Sequence, residues 1–420
     1  MSNQDDVGDD VSVRRIPRSA QKRPQITVKN EKEFDGGCTD YRKYIFCRLM
    51  YIDDGLVSRG LTLPLIIIMV HTVTMEVCSF LSIFGSSQIK DGLDCVRSFL
   101  LGNLVTMVLF NEFANRRRLG RLHVFLDKSM RTLRTGLPEE EEILKRARDQ
   151  ASSNLKMYII IFSNNIAPMV FAQPLGEWFA GRSWKRLPIP WSFPPSDTDL
   201  AFLLIFLFQF IGVIMANFLA MVFMSFSSIT IQITALFDVL LLSLRHIETR
   251  AALRSKLEGT DYRQSLYNSL REDITFYEQL VREVGSATPH LRNTFLAFSA
   301  TVPMIMACEA YPIMLGNFAI ADLVKSSVFL AIQFLCWAQT CMRLETMTDQ
   351  HAAVFQALYN TPWYEADLKY RKLIFMSLTY AAPSKYIKAR LSNEITATTA
   401  TFYSFVVSSF NWLNLIRKMS

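Results

Sequence analysis

The chain has 420 residues, half of them hydrophobic, with a mean hydropathy of +0.18 and a formal net charge of +7. That apolar share exceeds an ordinary soluble domain's, while the 20% charged share excludes a chain lying wholly in lipid, so a membrane protein with sizeable aqueous segments is expected. Seven scattered cysteines without CxxC or Cys/His spacing, five distant histidines, and no GxSxG, Walker, HExxH or GxGxxG match leave enzyme chemistry without a basis; no cofactor and no metal is expected.

Residues 1–60 are polar and basic, and lack the apolar core and cleavage site of a signal peptide. The first long hydrophobic stretch is therefore expected to stay as an anchor. Seven stretches are long enough to cross a bilayer, at about 20 residues each: 61–84, 92–110, 155–176, 200–223, 295–315, 326–342 and 393–416. The expected fold class is an all-α membrane protein, with a 1–60 cytoplasmic segment and a 61–420 seven-helix domain. Lys and Arg alternate sharply between the connections, with 37 on one side and 7 on the other. Positive charge stays cytoplasmic, which puts the N-terminus inside and the C-terminus outside. This orientation counts against a metabotropic receptor, and it places the basic charge at the membrane rather than on a nucleic-acid face.

The cytoplasmic segments carry helical stripes. Leu236, Leu240, Leu244 and Ile247 continue out of span four, and Leu266, Leu270, Ile274, Tyr277 and Val281 lead into span five. Pro138 followed by Glu139–Glu142, with Lys145, Arg146 and Arg148 later, reads as a helix start with charges matched to its dipole. Long helices therefore continue below the membrane and bury their stripes on each other or on a partner subunit. On the outer side, the 182–198 connection holds four prolines and is expected to form a rigid, aromatic-bearing cap.

Ionisable groups at membrane depth pair or act. Glu76 and Arg97 lie on adjacent spans at similar depth and are expected to pair, whereas Glu309 has no obvious partner. Cys78 and Cys95 flank a short outer turn and fit either a disulfide or two unpaired core thiols. Ser163, Ala167, Val170 and Phe171 on span three, with Phe202, Ile205, Phe206 and Gln209 on span four, fit either a small-molecule pocket or ordinary helix packing. In the last span Thr401, Ser404, Ser408 and Asn411 recur at helical spacing, with Ala397 before them. This polar stripe fits a packed interface or a pore lining, and alone does not choose between them.

The segment ALYNTPWYEADLKYRK, with Tyr359, Pro362, Trp363 and Tyr364, resembles the insect odorant receptor family, whose members carry this pattern before the last span. The ending Ser408-Ser409-Phe410-Asn411-Trp412-Leu413-Asn414-Leu415-Ile416-Arg417 resembles the family's ending, with Phe for the usual Tyr and Asn for the second Ser. Leu187-Pro188, Trp191 and Pro194 fit its outer loop. The ending of the related gustatory receptors is absent, which makes a gustatory-type chemoreceptor channel the alternative; a secondary transporter, lacking the internal repeat it requires, ranks lower.

The resemblance implies an odorant-gated, non-selective cation channel in the plasma membrane of sensory-neuron dendrites. It implies a tetramer in which this chain, lacking the co-receptor's extra segment, is a ligand-tuning subunit assembled with the odorant receptor co-receptor. The helices below the membrane would be the anchor domain where subunits meet. The odorant, a small molecule, would sit in the outer half, which favours Ser163, Ala167, Phe171, Phe202 and Phe206 as ligand contacts. By the same resemblance Leu413 is the gate, with Ser409 and Ile416 on its face, and the polar stripe turns toward spans five and six of its own subunit.

Overall fold

The computed structural model describes residues 57–86, 89–179, 181, 187, 189, 191, 198–315, 320–381 and 398–419. The expected 1–60 segment falls almost wholly outside them. The described residues form helices α1 (Val57–Gly85), α2 (Ile89–Arg131), α3 (Pro138–Phe179), α4 (Asp199–Arg245), α5 (Ile247–Glu258), α6 (Tyr262–Leu315), α7 (Ile320–Tyr359), α8 (Leu368–Tyr380) and α9 (Thr399–Met419). Each expected span coincides with helix, in α1, α2, α3, α4, α6, α7 and α9; positions 393–397 lie outside the described residues.

Among the described residues, five helices are long and apolar enough to cross a membrane, at Ile67–Gly85, Asp91–Asn115, Phe226–Arg245, Tyr262–Tyr311 and Leu323–Tyr359. Several helices far exceed a bilayer. The 47 residues of α4 reach on the order of 70 Å at about 1.5 Å per residue, against a hydrocarbon core of about 30 Å. Burial separates the second half of this long helix from α1. The apolar window in Phe226–Arg245 is 78% buried inside the protein, against 28% for the one in Ile67–Gly85. The second half of α4 is thus a protein core, while the apolar surface of α1 is mostly left uncovered by the rest of the chain.

The large core follows the stripes legible in the sequence. Leu236, Leu240, Leu244 and Ile247 of α4–α5 are buried against Leu266, Leu270, Ile274 and Tyr277 of α6; Val281 is partly buried at the edge. Met347, Val354 and Leu358 of α7 and Tyr370 and Ile374 of α8 close the same cluster. Several polar groups inside are paired. Tyr277 Oη and His351 Nε2 meet at 2.8 Å, with the imidazole stacked on Phe237. The Ser243 hydroxyl donates to Asp273 at 2.6 Å, and Arg250 pairs with that carboxylate at 2.9 Å, tying α5 to α6. Where α2 meets α6, Asn111 donates to the His290 carbonyl and to Thr294, and His290 Nε2 lies 2.9 Å from Glu112.

Local chemistry sets the helix ends. Pro138 opens α3 with Glu139, Glu140 and Glu141 in its first turn, as the charge pattern predicts. Glu140 is fully buried and accepts from the backbone N–H groups of Arg134 and Thr135, both at 2.8 Å, closing a turn in which Gly136 takes φ +65°. The Pro362-Trp363-Tyr364 segment breaks α7 from α8. Trp363 Nε1 donates to the Tyr359 carbonyl at 3.0 Å, and Arg371 donates to the carbonyls of Tyr364 and Ala366 at 2.8 and 2.9 Å. The basic residue of α8 therefore straps the turn that precedes it.

Candidate functional site

The connection between α3 and α4 brings Leu187, Ile189 and Trp191 into a buried cluster, hereafter the cap. Of this connection the described residues Leu187, Ile189 and Trp191 are all buried, and the Trp191 N–H donates to the Ile189 carbonyl at 2.8 Å. These three pack with Cys78 of α1, Cys95 of α2 and Phe202 and Ile205 of α4; Met75, Phe206 and Phe208 border the cluster. Trp191 Nε1 donates to Ser79 Oγ at 3.1 Å. Gln209 is fully buried, accepts from the Ile189 N–H at 2.9 Å and donates to the Ile189 carbonyl at 3.0 Å. Cys78 and Cys95 are both free thiols inside this cluster.

The eight residues read as pocket candidates therefore divide. Phe202, Ile205 and Phe206 come together under the cap, with the Phe202 and Phe206 rings 6.2 Å apart. Phe171 is 43% exposed and its ring lies 6.5 Å from that of Phe206 and 6.4 Å from that of Phe210. Val170 is fully buried. Gln209 spends both ends of its amide on the cap rather than presenting them to a cavity. The side chains of Ser163 and Ala167 lie outside the described residues, though both positions are helical in α3. Leu187, Ile189, Trp191 and Ser79 were absent from that pocket reading, although Leu187 and Trp191 are among the residues that carry the outer-loop resemblance.

The ion pair at membrane depth differs from the expected one. Arg97 pairs with Glu309 of α6 at 2.8 Å and with Asp94 one turn earlier at 3.0 Å, not with Glu76. Glu76 instead accepts from Thr106 Oγ1 at 2.5 Å, while the α1–α2 crossing is close enough that a Cβ on Gly102 would lie 2.6 Å from the Glu76 Cγ. Arg97 faces α6 on the other side of α2, and that turns it away from α1. Both Arg97 and Glu309 are almost completely buried, where an unpaired charge is costly, and this explains why they meet.

α9 is held on α6 and α7 by aromatic packing. Phe405 lies 5.2 Å from Trp337 and 6.3 Å from Phe295, and Phe402 lies 4.9 Å from Phe334. Glu345 of α7 accepts from the Thr399 N–H at 3.0 Å, at the start of α9. Leu413 is buried with Ala307 and Tyr311 of α6, and Ile416 packs beside it. Ser409 donates to the Phe405 carbonyl at 2.9 Å and approaches Met306 Sδ at 3.9 Å. The polar stripe lies on the other side: Ser404 and Asn411 are exposed, and Thr401 and Ser408 partly so. The expected orientation, with that stripe against spans five and six, is therefore reversed, because the aromatic and aliphatic residues claim the contact with α6 and α7.

Comparison with known proteins follows this geometry. A family model described as 7tm Odorant receptor matches residues 95–410. A putative odorant receptor 85d of Drosophila melanogaster is 20% identical over 268 residues, covering 62% of this chain and 61% of its own, so the likeness spans about three-fifths of that relative. The insect olfactory receptor OR5 from Machilis hrabei, solved alone and in complex with eugenol, is similar with a TM-score of 0.70 at 12% identity, over 91% of this chain and 100% of that one. At this identity the structural likeness is one of fold.

Proposed function

This chain belongs to the 7tm odorant receptor family, a family of receptors and channels rather than enzymes, and on that premise we propose that it is the ligand-tuning subunit of an odorant-gated, non-selective cation channel. In this reading α1, α2, α3, α4, α6, α7 and α9 each cross the membrane once, with the N-terminus inside. The core built from the second half of α4, the first half of α6, α7 and α8 is the cytoplasmic anchor. The co-receptor completes a heterotetramer in the plasma membrane of a sensory dendrite.

The observation that carries the reading is the capped cluster of the outer half. It joins Phe202, Ile205 and Phe206 beneath the Leu187–Trp191 cap, with Phe171 at its edge. An apolar, aromatic-lined site with few polar groups suits a small volatile molecule. The Machilis receptor's complex with eugenol supports a ligand of that size. We take Ser163, Ala167, Val170 and Phe171 on α3 and Phe202, Ile205, Phe206 and Gln209 on α4 as the ligand region, with Gln209 acting through the cap it holds.

α9 lines the pore in this proposal. One face, with Ser409, Leu413 and Ile416, is apolar enough to close a pore by dewetting; the opposite face, with Ser404 and Asn411, is polar enough to wet one. Turning α9 between these faces would gate the channel, and a ligand need only favour one setting over the other. Calcium imaging of an odorant panel in cells expressing the chain with the co-receptor tests this: a ligand-specific calcium rise is expected, and a rise of equal size with the co-receptor alone would contradict it.

A further inference from the structure

A second groove, of about 480 Å³, lies between α3 and α7 at the end of the bundle remote from the Leu187–Trp191 cap. Met157 and Ile161, from the first turns of span three, face Leu335 and Met342, from the last turns of span six. Between them Tyr158 Oη donates to Gln339. Most of the groove's surface is apolar, and Met157, Leu335 and Met342 are exposed along it.

The rim has the opposite chemistry. Arg343 lines the groove one residue beyond span six. With its amide turned so that the oxygen faces the guanidinium, Gln150 accepts from both terminal nitrogens of Arg343, at 2.8 and 3.0 Å. Gln150 is neutral, and among the described residues no carboxylate forms an ion pair with Arg343. The groove thus joins an apolar slot at membrane depth to uncompensated positive charge at the membrane boundary.

We propose that this groove binds an anionic phospholipid of the inner leaflet, one acyl chain in the slot and the headgroup phosphate on Arg343. A guanidinium suits phosphate oxygens, and juxtamembrane basic side chains attract anionic headgroups. A neutral volatile would use the slot but not the rim. The bound lipid would touch α7 two residues before Glu345, the carboxylate that caps α9, which gives lipid composition a route to the pore helix. The inner-leaflet assignment rests on the proposed orientation.

The test uses the full chain co-assembled with the co-receptor in nanodiscs, and two probes: phosphatidylserine and phosphatidylcholine, each with a photoactivatable acyl chain. Labelling of the 157–161 and 335–342 segments is expected to be several-fold stronger with phosphatidylserine. Arg343→Gln should remove that preference, and Ala338→Trp, which fills the slot, should abolish labelling by both. Equal labelling by the two lipids, or labelling indifferent to these variants, would overturn the site and leave only annular lipid. Displacement of label by a volatile ligand at its activating concentration would also overturn it. Arg343→Cys should react with an impermeant thiol reagent only from the cytoplasmic side; reaction from outside would overturn the orientation separately.

Discussion

Gln209 holds Ile189 by both ends of its amide, accepting from the backbone N–H at 2.9 Å and donating to the carbonyl at 3.0 Å. One side chain of α4 thereby replaces the two backbone hydrogen bonds that a strand partner would have supplied to the cap. Truncation leaves a buried donor and a buried acceptor unmade, at on the order of 2 kcal/mol. Gln209→Ala is expected to make the outer cap sensitive to extracellular protease and to shift ligand sensitivity. Gln209→Glu should do more harm, because an acceptor then faces the Ile189 carbonyl. Protease resistance equal to wild type in both variants would show that the clamp is unimportant.

The Arg97–Glu309 pair makes a prediction about order of severity. Arg97→Leu leaves Glu309 buried without its cation, which in buried pairs costs about 3–5 kcal/mol. That variant should fail to reach the surface or melt well below wild type in detergent. Arg97→Leu with Glu309→Leu should recover much of the loss. A double variant no better than Arg97→Leu alone would mean that the two side chains do not depend on each other.

Phe171 is 43% exposed, with its ring near those of Phe206 and Phe210, so its removal takes little from the buried core. Phe171→Ala is therefore expected to reach the surface normally while shifting the half-maximal ligand concentration by about tenfold, the equivalent of about 1.4 kcal/mol. Dose–response curves unchanged for every active ligand would remove this residue from the site.

The faces of α9 predict opposite phenotypes. Leu413→Ala removes the aliphatic side chain that would close the pore and should raise current in the absence of ligand. Asn411→Leu should lower single-channel conductance by making the wetted face apolar. Resting current unchanged in Leu413→Ala would contradict the gate assignment, and conductance unchanged in Asn411→Leu would contradict the wetted face.

Helix and core were legible where burial repeats with the helical period. Leu236, Leu240 and Leu244, or Leu266, Leu270 and Tyr277, announce one buried face each, and the structure buries both. What the sequence hid was choice among partners. Arg97 has carboxylates at similar depth on α1 and on α6, and 212 positions separate it from the one it meets. Hydropathy sets depth but not which way a side chain points around its helix. The residues of α9 left the polar stripe open between a helix interface and water, and the resemblance, by putting Leu413 at the gate, turned it toward α6 and α7; the aromatic packing of Phe402 and Phe405 on those helices sets the rotation. The outer pocket was half legible for a related reason, since α4 contributes a regular face while the cap enters through an irregular segment.

The most direct test is current in an excised patch. Membrane patches from cells expressing this chain with the co-receptor should be perfused with an active volatile in the absence of nucleotides. Ligand-evoked current that persists, reverses near 0 mV and is missing from patches with either subunit alone is the predicted result. Current that vanishes on excision and returns only with nucleotide would contradict a channel opened directly by its ligand.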